Sequence, residues 1–282
     1  MAISAADVKA LRDSTGAGMM DCKKALTDAD GELEKAVELL RERGLSKAGK
    51  RAGRETSEGA VGVSVAGGRA GIVELGCETD FVAKTDAFQD LAKQIADLVS
   101  EGGLEGAEAA LAAPLGGGTV HDQIQETIAK VGENIELKRA SAFTAGGAAG
   151  SYVHMGGKLG VIIGIGGGSG GDVDELAKDL AMHVAAADPT PIAIDRDGVA
   201  ADTVESERRI LTNQALESGK PENVVEKMVT GRLNKFYAEN CLLEQAFVKD
   251  PDMTVGKRVE SVGADLKVEH FVRFKLGEAA TG

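Results

Sequence analysis

The chain has 282 residues, 43% hydrophobic and 27% charged, with a net charge of −13. This is an ordinary soluble composition with room for about two domains, and no run approaches the roughly 20 apolar residues of a membrane-spanning helix. The negative balance disfavours nucleic-acid binding, whose affinity comes largely from neutralising phosphates. The three cysteines, Cys22, Cys77 and Cys241, form an odd, widely spaced set without CxxC. They argue against a disulfide framework or metal cluster and for a reducing compartment, the cytoplasm. The start, MAISAADVKA, lacks a basic flank before an apolar stretch, so no secretory signal is expected.

Residues 1–44 are predicted to form a bundle of three short helices. Ser4 is placed to cap the first, with Asp7 three positions on and Val8 and Leu11 facing inward. Thr15-Gly16-Ala17-Gly18 breaks the pattern, Met19 to Leu26 resumes it, and Leu33, Ala36, Val37 and Leu40 form the stripe of the third helix. Met19-Met20 either plugs a small core or forms an adaptable binding surface. Residues 1–54 carry 11 Lys/Arg against 9 Asp/Glu. Arg41, Arg43, Lys47, Lys50, Arg51 and Arg54 concentrate at the end of that stretch, which reads as a basic linker over 45–57 or a patch for an acidic partner surface or RNA.

An internal duplication sets the architecture of the rest. Gly67-Gly68-Arg69-Ala70-Gly71-Ile72-Val73 corresponds to Gly156-Gly157-Lys158-Leu159-Gly160-Val161-Ile162 at an offset of 89, and Asp90–Ala96 to Glu175–Ala181 at 85. Gly-Gly between two strand-like runs signals a hairpin, so each copy reads as a β-hairpin followed by a helix. The expected halves are 58–140 and 141–282. Between the first hairpin and its helix lies Cys77-Glu78-Thr79-Asp80-Phe81-Val82-Ala83-Lys84, a strand-to-helix corner holding a carboxylate beside a phenyl ring. Such a ring is either tucked back into the core or aimed at a partner. The stretches from Gly102 to Gly118 and from Gly146 to Gly150 read as loops. An antiparallel helical hairpin is expected at about 202–238, turning at Gly219-Lys220-Pro221, with Val204, Leu211, Val225, Met228 and Leu233 in its seam. The run from Leu266 to Leu276 alternates and reads as a returning strand. The fold class is therefore α+β.

Little in the chain asks for catalysis. Gly166 to Gly171 matches GxGxxG, but its strand belongs to a hairpin and the first copy's corner has no glycine there, so a nucleotide-binding oxidoreductase is only an alternative. A non-catalytic scaffold is another. His121, His154, His183 and His270 are scattered; His183 reads as a packed or edge residue and His154 as an exposed contact. No cofactor or metal site is expected, and an enzyme is not indicated.

Two long motifs carry a resemblance. Thr15-Gly16-Ala17-Gly18-Met19-Met20-Asp21-Cys22-Lys23-Lys24-Ala25-Leu26 and Cys77-Glu78-Thr79-Asp80-Phe81-Val82-Ala83 resemble the two signatures of the bacterial elongation factor Ts family. Lys130–Ile135, Ser151–His154 and Ala181–Ala185 support them, in consistent order from about residue 4 to 278. The resemblance implies a bundle similar to a ubiquitin-associated domain. It also implies a guanine-nucleotide exchange factor for elongation factor Tu, working in translation as a heterodimer or higher assembly, with no membrane or direct nucleic-acid partner. By that resemblance Thr79, Asp80, Phe81 and Val82 displace Mg²⁺ from the GTPase, while Arg12, Met19, Met20, Val131 and His154 contact it. Family members with a C-terminal docking helix have more sequence after the last strand than this chain has, so that contact is not carried over.

Overall fold

Ser4 and Asp7 open the first helix as a mutual cap. The Ser4 N–H and hydroxyl donate to Asp7 Oδ2 (3.1 and 2.7 Å), and the Asp7 N–H donates back to Ser4 Oγ (3.1 Å). The structure is a computed structural model describing residues 3–15, 17–49, 51, 53–217 and 219–278, with main chain alone over 45–49. Helices α1 (Ala5–Thr15), α2 (Met19–Asp28) and α3 (Leu33–Gly49) close a small core of Val8, Leu11, Cys22, Ala25, Leu26, Ala29 and Ala36. The third helix does not stop at 44. At Gly44 α3 lies tight against the helix over Val120–Val131: a Cβ there would stand 2.7 Å from Ala129 Cβ. The helix passes through this glycine and on to Gly49, into the segment read as a linker. Arg43 pairs with Asp28 (2.5 Å), Arg41 with Glu126 (3.5 Å) and Arg54 with Glu78 (3.4 Å). The side chains of Lys47 and Lys50 lie outside the described residues.

The core is α+β and duplicated, as its sequence pattern implies. β1 (Glu58–Ala66) and β2 (Arg69–Cys77) form a hairpin, followed by a single turn α4 (Asp80–Ala83) and the long α5 (Asp86–Gly102). Then come α6 (Ala107–Ala112), a two-residue ladder of β3 (Pro114–Leu115) and β4 (Gly118–Thr119), α7 (Val120–Val131), and β5 (Ile135–Thr144), which pairs with β2. The second hairpin, β6 (Ala148–His154) and β7 (Leu159–Gly166), leads into α8 (Gly171–Ala186). An antiparallel pair, α9 (Ala201–Leu216) and α10 (Glu222–Asn240), meets through Leu211, Ala215, Val225, Val229 and Leu233. A short ladder of β8 (Ala246–Phe247) and β9 (Asp250–Thr254), α11 (Val255–Val262) and β10 (Lys267–Lys275) complete the chain, with β10 beside β7. The sheets β1-β2-β5 and β6-β7-β10 face each other through Val61, Ala70, Ile72, Ala149, Ile162 and Phe274. α5 covers the outer face of the first sheet and α8 that of the second.

The two copies superpose in sequence differently from the reading at 89. Ile72 faces the opposing sheet whereas Val161 faces α8, so that register places equivalent residues on opposite faces. Facing agrees at 90 after the turn, Ile72 with Ile162 and Val73 with Ile163, and at 88 before it, Val61 with Ala149. Gly62 and Gly150 then match as well: a Cβ at Gly62 would strike Ala92 O (2.5 Å), and one at Gly150 the carbonyl carbon of Ala177 (2.5 Å), the equivalent residue 85 positions on. Helix and sheet approach so closely that only glycine fits. The change from 88 to 90 lies in the turn: Ala66 pairs with Arg69 across two residues, His154 with Leu159 across four. The change from 90 to 85 lies at the corner. Nine residues separate Gly76 from Asp86, but only four separate their equivalents, Gly166 and Gly171. The first copy therefore carries a five-residue insertion relative to the second, and α4 is within it.

Three further readings are corrected. The stretch from Gly102 to Gly118 holds α6 and β3, because Ala110 and its neighbours pack on the first core. Gly146 to Gly150 is not all loop: β6 begins at Ala148, with Gly150 tucked beneath α8. β5 runs past 140 to Thr144, since it pairs with β2 from Ile135 to Thr144 with a bulge at Lys138.

Candidate functional site

The inserted corner is built so that one side is core and the other is bare. Thr79 is extended (φ −129°) and caps α4, its Oγ accepting from the Val82 N–H at 3.5 Å. The next cap, Thr85, starts α5 and its hydroxyl donates to Val82 O (2.8 Å). Gln89 reaches back to Ala83 O (2.6 Å). Val82 and Ala83 are buried in the first core cluster, whereas the Phe81 side chain is 82% exposed. Neighbouring residues on a helical turn point about 100° apart, so burying Val82 and Ala83 turns Phe81 outward. The ring is aimed at solvent, not tucked in. Val82, read with it as a contact, anchors the turn from below.

Asp80 forms an ion pair with Lys84 across one turn (2.6 Å), and this hydrogen bond holds its carboxyl below the usual range despite partial desolvation. The charge of Lys158 acts in the same direction. Lys158 itself bonds Glu58 (2.8 Å), which raises its own pKa. It belongs to the longer turn of the second hairpin, so that turn stands beside the corner; a Cβ on Gly157 would touch Ala60 and Gln89. Met155, in the same turn, is 62% exposed and adopts a left-handed φ of 54°.

From below, two loops clamp each other. The Thr79 N–H donates to Glu133 Oε2 (2.9 Å) and its hydroxyl to Glu133 Oε1 (2.6 Å). In return the Asn134 N–H donates to Glu78 Oε1 (2.7 Å), and Asn134 Nδ2 donates to Arg54 O (2.8 Å) while Arg54 pairs with Glu78. The Cys77 thiol donates to Thr79 O (3.2 Å). Burial first, and the charge of Glu133 second, push its pKa up to about 12, so it stays a protonated donor.

The structure places two of the other residues singled out from the sequence, Val131 and His154, on the core, and three, Arg12, Met19 and Met20, on the bundle. Val131, half-buried at the end of α7, packs on the first core and leads through Gly132 into Glu133. His154 is exposed at the end of β6, stacked on Tyr152 (5.8 Å), next to Met155. Arg12, Met19 and Met20 are exposed on the bundle, which meets the core through α3 on α7; Met19 and Met20 are 59% and 74% exposed. Sequence reasoning passed over Glu133, Lys84, Lys158 and Met155 as individual residues. Glu133 and Lys158 act through pairings 54 and 100 residues apart that no local pattern announces, Lys84 stands at the i,i+4 spacing from Asp80 that could have flagged it, and Met155 was hidden by the mis-set register of its turn. His183, read as packed, is buried: its Nε2 bonds Gln245 Oε1 (3.0 Å) and its Nδ1 accepts from the Val248 N–H (3.1 Å).

The sequence model of the family described as Elongation factor TS matches residues 78–278, more than half of the chain, and the match begins within the inserted corner. The chain belongs to that family. Membership places it in translation elongation, and no helix among the described residues is long and apolar enough to cross a membrane. The glycine loop at 166–171 has a different explanation from nucleotide binding. A Cβ at Gly166 would stand 1.9 Å from Glu269 Oε1 and one at Gly167 2.1 Å from Asp265 O. These two glycines make room for the neighbouring chain. β7 is antiparallel to both of its neighbours, not the opening strand of a parallel unit.

Proposed function

We propose that this chain is a guanine-nucleotide exchange factor. It binds elongation factor Tu in its GDP form, as a heterodimer or higher assembly, and speeds GDP release by disturbing the GTPase's Mg²⁺ and phosphate site. The observation that carries the reading is the five-residue insertion that presents Phe81, 82% exposed, from a turn anchored on its other side. The second copy makes the same passage without it, so the fold does not require it. Mg²⁺ demands near-ideal octahedral oxygen geometry, and a wedge that shifts its surroundings loosens the nucleotide. Burying the ring supplies roughly 1.5–3 kcal/mol toward insertion, and Asp80 accepts hydrogen bonds from groups that otherwise order the site. The effect is a coupling between two ligands and is reciprocal: a factor that weakens GDP ~10⁴-fold is itself weakened as much by GDP, about 5.5 kcal/mol.

In this reading Thr79 and Val82 hold the wedge, and Arg12, Met19, Met20, Val131 and His154 make the remaining contacts. The chain works in the cytoplasm as a binding protein rather than an enzyme, without a cofactor of its own. The test is stopped-flow release of labelled GDP from elongation factor Tu with and without this chain. Concentration-dependent acceleration is expected; binding with no change in the off-rate would leave only a scaffold.

A further inference from the structure

A one-turn helix cannot hold its own orientation in water. Burial of Val82 and Ala83 turns Phe81 outward, but a turn seated on two side chains can still rock, and a second constraint is needed to hold the ring in one direction. The geometry supplies one from 54 residues away. Both oxygens of Glu133 are used on a single residue, taking the Thr79 N–H at 2.9 Å and the Thr79 hydroxyl at 2.6 Å. That hydroxyl's other face accepts from the Val82 N–H, so the carboxylate, the cap and the first turn are mechanically one unit. Gly132 ends α7 in the left-handed region (φ 81°), which lets the chain turn and aim Glu133 at the corner. Glu78 and Asn134 close the clamp in the other direction.

We propose that Glu133 is the positioning residue of the corner. By gripping Thr79 at two points it sets the orientation of Asp80 and Phe81, and it therefore governs the maximal rate of nucleotide release more than the affinity for the GTPase. This role rests on the exchange reading above. A carboxylate bridging two donors on one residue restricts rotation as a single contact does not, and charge-assisted hydrogen bonds are the strong kind.

The chain contains no tryptophan, so Phe81→Trp places a single indole reporter at the corner. In that background, Glu133→Ala should lower the indole's fluorescence anisotropy in the free protein, and Glu133→Gln, which keeps the size and one acceptor, should lower it less. In the otherwise natural chain, Glu133→Ala should cut the maximal GDP-release rate at saturating factor about tenfold while moving the half-saturating concentration less than about threefold. Glu133→Gln should fall between. Unchanged anisotropy in both variants would overturn the proposal. So would a Glu133→Ala chain that simply melts, alongside a Glu133→Gln chain normal in anisotropy and rate. If the unsubstituted chain does not accelerate GDP release, the exchange reading falls; the anisotropy comparison needs no partner and still decides whether Glu133 orients the corner.

Discussion

Truncating Phe81 to alanine separates the two things a phenyl ring can do. The ring is 82% exposed in the free protein, so little burial is lost on truncation. Removal of a fully buried Phe costs about 3–5 kcal/mol, whereas an exposed substitution stays within about 0.5 kcal/mol. At roughly 2–4 °C per kcal/mol for a chain approaching this size, Phe81→Ala should move Tm by about 2 °C or less. Phe88, 0% exposed in the next helix, provides the contrast, and Phe88→Ala should lower Tm by about 6 °C or more. In the complex the balance reverses. Losing roughly 1.5–3 kcal/mol of burial at the GTPase corresponds to roughly 10- to 150-fold in GDP release, read by stopped flow at limiting factor. A Phe81→Ala chain that melts like Phe88→Ala, or that exchanges GDP at the natural rate, would refute the wedge.

Removing residues 1–49 takes away the bundle and α3 but keeps Arg54 on Glu78. The remaining core should stay folded by circular dichroism and bind the GTPase more weakly; an insoluble product or undiminished binding would contradict the contact role given to Arg12, Met19 and Met20. Stability should also depend on pH through His183. Burial lowers its pKa from 6.5, and the hydrogen bond that its Nε2–H donates to Gln245 Oε1, whose amide nitrogen is committed to Pro189 O and Glu239 O, opposes this only partly. The unfolded chain then binds a proton that the folded chain refuses, so stability is unaffected well above about 6.5 and is lost as pH falls below it. Tm measured from about pH 7.5 down to about pH 5 should fall, and His183→Asn should flatten that dependence even if it lowers Tm throughout.

Much of the fold was legible because glycine marks it. Gly67 needs a positive φ to close the first hairpin, and the Gly219-Lys220-Pro221 turn separates two amphipathic helices. Glycine also misled. Gly150 was read as part of a loop, and the bundle was ended at residue 44, yet Gly150 and Gly44 are places where two elements come too close for a side chain, and sequence alone does not distinguish such a glycine from a break. Aligning the repeats on their Gly-Gly pairs hid the two-residue difference between their turns and the five-residue insertion at the corner. The corner's residues were legible as a motif, but the outward direction of Phe81 depends on Val82 and Ala83 being buried beneath it. The grip of Glu133 on Thr79 joins residues 54 apart and has no local signature.

The most direct test of the proposed exchange mechanism is GDP release from elongation factor Tu with and without Mg²⁺, for the natural chain and for Asp80→Ala combined with Phe81→Ala. If the corner works through the ion, chelating Mg²⁺ should speed release from the GTPase alone and shrink the further acceleration given by the natural chain. The double variant should lose most of its effect when Mg²⁺ is present and little when it is absent. Equal fold-acceleration in both conditions, for both chains, would contradict an action of the Asp80-Phe81 corner on the Mg²⁺ site.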